Sequence, residues 1–82
     1  MTTSTPATSA GNPAALVGEE VRAYMARRRV SQAALAIHLG ISQSSVSRRL
    51  QGDQPFDVTE LTRAAELFEV PVQNLLGPLL AA

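Results

Sequence analysis

The stretch SQAALAIHLGISQSSVSRRLQG, residues 31–52, decides the fold, because it reads as two short helices joined by a tight turn. Ser31 can cap the first helix, since a serine oxygen accepts an orphan backbone N–H at a helix start. Leu35, Ala36 and Leu39 then form one apolar stripe at helical spacing. Gly40 stands where a left-handed residue ends a helix without a Cβ penalty. Ile41 plugs the corner and Ser42 caps the second helix. There Val46 and Leu50 face inward, while Gln43, Ser44, Ser47 and Arg48 face out. The small side chain of Ala36 lets the second helix pass close to the first.

This is the layout of a helix-turn-helix. The wider pattern resembles the lambda-repressor-like, Cro/repressor-type (XRE-like) family. The resemblance rests on Ser31-Gln32, Leu35-Ala36, Leu39-Gly40-Ile41-Ser42-Gln43, Val46-Ser47-Arg48 and Gly52. Val21-Arg22 before the motif fits as well, as do Leu61, Ala64-Ala65, Phe68 and Val70 after it; roughly residues 14–77 are covered. The resemblance implies double-stranded DNA as the partner and a recognition helix over residues 43–51 whose N-terminal side chains reach base edges in the major groove. It also implies that Gln32 holds a phosphate and braces Gln43. The family often has Gly or Asn where Arg29 stands and an aliphatic side chain where Arg49 stands. The turn into Val30 is therefore expected to be built differently here. Leu50 can take over the packing, or Arg49 can bury its stem while its head meets phosphate.

The chain has 82 residues, enough for one small domain with a modest core. It has no cysteine, so disulfides and thiolate metal sites are excluded. Its only aromatic side chains are Tyr24, Phe56 and Phe68, so the core must be largely aliphatic. No apolar run approaches the ~20 residues that span a bilayer, and the N-terminus lacks the basic start and apolar stretch of a secretory signal. A soluble protein of the bacterial cytoplasm, associated with the nucleoid, is expected. Enzymatic readings lack parts: His38 is the single histidine, on the outer side of its helix, and there is no Gly-rich phosphate loop. No metal or cofactor is expected.

The formal net charge is zero, but the charges are segregated. Arg22, Arg27, Arg28, Arg29, Arg48 and Arg49 lie in a stretch without an acid, while Asp53, Asp57, Glu60, Glu66 and Glu69 follow, opposed by Arg63. A phosphate backbone responds to the local field and not to the sum. Every basic residue is Arg, which suits planar, bidentate contact with phosphate or guanine.

Residues 1–12 carry no charged side chain and almost no bulk, so they read as a disordered tail. The helix-turn-helix domain is placed at residues 13–77, with an apolar C-terminal tail over 78–82. Pro13 suits a first helical turn, and Val17, Val21, Tyr24 and Met25 form the buried face of that helix. Asp57 can cap a fourth helix, with Phe56 as a staple to Leu61, and Val58, Leu61, Ala65 and Phe68 repeat along it. Residues 72–76 make a short fifth helix closed by Gly77-Pro78. The expected fold is an all-α, compact five-helix lambda-repressor-like domain.

The base contacts are expected from Gln43, Ser44, Ser47 and Arg48. Gln can pair with adenine, Ser tolerates several bases, and Arg can grip guanine O6 and N7. Phosphate contacts are expected from Gln32, Arg27, Arg28, Arg29, Arg49 and Gln51. The alternative for the serines is simple capping, and for Arg27–Arg29 complementing the helix dipole. A homodimer on DNA is expected to pair through Val72, Leu75, Leu76, Leu79 and Leu80. An alternative dimer or partner surface is Ala33, Ala34 and Ile37, where the family usually carries Glu or Arg. Two functions follow: a phage-type Cro/repressor or immunity regulator binding an operator, or a protein-interaction module, antitoxin-like or polymerase-binding, with DNA secondary.

Overall fold

The computed structural model describes residues 12–80. They form α1 (Pro13–Arg28), α2 (Gln32–Leu39), α3 (Gln43–Gln51), α4 (Val58–Phe68), a 3-10 turn (Val72–Leu76) and the single-turn helix α5 (Gly77–Leu80), with no strand among them. The expected all-α class is what the chain adopts.

Each principal helix is delimited by side chains that satisfy its end groups. Asn12 Oδ1 accepts from the N–H groups of Ala14 and Ala15, and Pro13 follows at the first helical position. Asn12 is therefore a cap and not part of a tail; residues 1–11 lie outside the described ones. Ser31 Oγ accepts from Ala34 N at 3.0 Å, and Ser42 Oγ from Ser45 N at 3.1 Å. Asp57 and Glu60 cap α4 reciprocally: Asp57 Oδ1 accepts from Glu60 N, and Glu60 Oε1 accepts from Asp57 N. Gly40 and Gly52 end α2 and α3 in the left-handed region. α1 and α4 end the same way on Arg29 and Glu69, at φ 57° and 62°. The turn into Val30 is thus the ordinary left-handed stop, with an arginine in the position glycine usually fills.

The core is aliphatic with one aromatic at its centre. Val21, Leu35, Val46, Phe68 and Leu75 are fully enclosed, and Leu39, Leu50, Phe56, Leu61, Ala64 and Ala65 surround them. Tyr24 stacks on Phe68 with ring centroids 5.7 Å apart, and Ile41 packs half-buried at the corner of the motif. The structure departs from expectation at three places. Val58 starts α4 and is 79% exposed, while Glu60 and Leu61 of the same turn are buried, so Val58 lies on the solvent side of that turn. Leu75 is 0% exposed and belongs to the core, so it is unavailable to a partner; Val72 and Leu76 are half-buried against that core. The segment after Gly77 is also no loose tail up to Leu80, since α5 packs on α1; residues 81–82 lie outside the described ones.

Candidate nucleic-acid interface

α3 presents its polar face to solvent because its two apolar side chains, Val46 and Leu50, are one helical turn apart and both buried. Gln43, Ser44 and Arg48 are exposed and Ser47 is half-buried. With Gln32 from the first turn of α2, these four line one open depression. All four residues expected to read bases are therefore brought together with Gln32. Gln32 and Gln43 share the depression, though no hydrogen bond joins their side chains among the described residues.

Local hydrogen bonds order this face. Ser42 caps α3, donates to Ser45 Oγ at 2.8 Å and lies 3.2 Å from Ser44 Oγ. Gln51 Nε2 donates to Ser47 Oγ at 3.4 Å, one turn back along α3. Ser47 keeps its own hydroxyl proton to donate outward. Neither α2 nor α3 has an acidic residue in its first turn, so the positive ends of both helices are left uncancelled on the side where an anion would approach.

The remaining arginines divide. Arg27 lies over the Tyr24 ring, 4.8 Å from its centroid. Arg28 donates from Nε to Phe68 O at 2.8 Å, satisfying a carbonyl at the end of α4. Arg29 is exposed at the end of α1. None of the three lines the depression. Arg49 turns inward: its Nε donates to Glu60 Oε1 at 2.8 Å and its Nη1 to Ser45 O at 3.2 Å. This is the one ion pair among the described residues, with the side chains 14% and 9% exposed. The guanidinium takes the place of the aliphatic packing expected at this point, so Arg49 is a structural group and not a free phosphate ligand.

Glu60 and Gly18 are the two residues that sequence reading passed over. Glu60 reads as one more surface acid of α4, although its spacing of three from Asp57 is a capping-box signature. Gly18 sits in the middle of α1, where a side chain would strike Leu50 O and come within 2.9 Å of Arg49 O. An isolated glycine inside a helix is the available hint of such a close approach.

Elsewhere, Ile37 is 82% exposed on α2, with Ala33 and Ala34 also exposed beside it. Leu80 is 70% exposed on α5. No helix of the described residues is long and apolar enough to cross a membrane. A family model for a helix-turn-helix domain matches residues 16–76, from the first turns of α1 to the end of the 3-10 turn. No curated protein matches the chain.

Proposed function

The chain belongs to the helix-turn-helix domain family, of the XRE/lambda-repressor-like type, and from that we propose that it is a sequence-specific regulator of transcription that binds double-stranded DNA. The observation that carries the reading is the gathering of Gln32, Gln43, Ser44, Ser47 and Arg48 around one depression on the outer face of the motif. In this reading α3 enters the major groove. Gln43 pairs with adenine, Arg48 with guanine, and Ser44 and Ser47 take the neighbouring edges. Gln32 and the open first turn of α2 hold a phosphate, and Arg29 with Arg27 supplies sequence-independent attraction. Arg28 adds charge while closing α4, and Gln51 orders Ser47 beside the backbone.

The finer form of the proposal is a phage-type Cro/repressor or immunity protein that occupies an operator as a dimer and blocks polymerase, in the cytoplasm of a bacterial host. With Leu75 in the core, Leu79 and Leu80 are the pairing side chains left on the C-terminal surface, flanked by half-buried Val72 and Leu76. Selection from random duplex DNA with purified protein tests the reading: an enriched pseudo-palindromic motif is the expected result. A second reading has its own observation, the exposed Ile37, Ala33 and Ala34 of α2. A pool without any enriched motif would favour that face as a protein-binding surface, with DNA secondary.

A further inference from the structure

The hold of the domain on α3 is uneven. Val46 and Leu50 anchor it along one line of its surface, and α1 crosses its C-terminal end, where Gly18 lies against Leu50 O and Gly52 against Ala15. Towards α4 the contact is made through side chains, with Val46 and Leu50 in the same core as Leu61 and Ala65 and the Arg49–Glu60 ion pair beside them. α1 and α2 fix where α3 lies, whereas apolar contact by itself is non-directional and sets the roll of a helix less sharply than a directional bond does. A roll of about 20° displaces groups on the surface of a helix ~10–12 Å across by on the order of 2 Å. Base-edge hydrogen bonds do not survive such a shift.

Arg49 and Glu60 link α3 to α4. Arg49 follows Arg48 by one residue, about 100° round the helix. Its planar guanidinium is fixed at both ends, to Ser45 O within α3 and to Glu60 Oε1 on α4. Glu60 is fixed in turn by the capping box, since the same Oε1 accepts from Asp57 N at 3.1 Å. The ionic contact is directional and largely shielded from water, and it ties the rotation of α3 to the start of α4.

Resting on the DNA reading above, we propose that Glu60 acts through Arg49 as a positioning residue for specificity, setting the rotation of α3 and hence how Ser47 and Arg48 meet the bases. Gln43 stands on the same helix and turns with it, so it is governed by the pair as well. Glu60→Gln keeps an acceptor for Asp57 N–H and removes the charge. Arg49→Met combined with Glu60→Gln leaves no unpaired charge at all, and it carries the test if the single variant does not fold. Each is compared with the unaltered chain by selection from random duplex DNA and by salt titration of the enriched site, at temperatures where circular dichroism shows it folded. The expected result is roughly tenfold weaker discrimination at the base pairs assigned to Gln43, Ser47 and Arg48, with the salt slope retained. A folded variant that keeps the full motif overturns the positioning role and leaves the DNA reading standing. An unaltered chain that enriches no motif overturns the DNA reading, and the positioning role with it.

Discussion

Arg29 and Glu69 each hold a side chain in the left-handed region, at φ 57° and 62°, where a Cβ costs ~1–2 kcal/mol. Glycine would remove that cost but gives back part of it through its freedom in the unfolded chain. Arg29→Gly should therefore raise stability by about 0.5–1 kcal/mol in thermal melts. The same change removes an exposed cation, so binding to random duplex should weaken and its salt slope should become shallower by about 0.9. Glu69→Gly is the matched control: it should melt higher as well, with no shallowing of the slope. Arg28 is a poorer probe of phosphate contact, because losing it also strips Phe68 O of its donor. For base reading the test is Gln43→Ala, which should cost ~1–3 kcal/mol on the selected site and relax preference at one base pair. An equal loss on random DNA would show that Gln43 positions the protein without reading sequence.

Among the elements, the seam between α1 and α3 tolerates the least. A Cβ on Gly18 would collide with the backbone at Leu50 and sit 2.9 Å from Arg49 O, and backbone cannot move aside as a flexible side chain can. Gly18→Ala should therefore cost about 1–3 kcal/mol in denaturant unfolding, despite alanine's better helix propensity. An unchanged or improved midpoint would mean that α1 can shift without penalty. The features that sequence reading recovered are local ones. The caps at Ser31, Ser42 and Asp57 and the stop at Gly40 each depend on residues a turn or so apart, and so does the polar face of α3. What it did not recover depends on which helix lies opposite. The partner of Arg49 is eleven positions away across a loop, and Gly18 meets a backbone more than thirty positions on. Val58 continues the apolar repeat of α4 yet faces solvent, because at the first residue of a helix the periodicity does not say which side the neighbours cover.

The whole molecule is small, and its C-terminal leucines divide between closing the core and remaining exposed. Stability on the scale of 0.05–0.15 kcal/mol per residue gives a domain of 82 residues roughly 4–12 kcal/mol. Leu75, the fully enclosed residue of the 3-10 turn, packs with that turn against α4, α1 and α5, so Leu75→Ala should cost about 2–5 kcal/mol in denaturant unfolding, a large share of the total. Leu80 is 70% exposed, and Leu80→Glu should leave the melting temperature nearly unchanged. One recognition helix covers only a few base pairs, too few for a unique address. The proposed dimer would set two such helices about 34 Å apart on one face of the duplex. If Leu79 and Leu80 form the pairing surface, Leu80→Glu should abolish cooperative binding to a two-half-site operator while leaving affinity for a single half-site intact. Cooperativity that survives Leu80→Glu moves the pairing surface elsewhere, and the exposed face of α2 around Ile37 becomes the next place to put a charge.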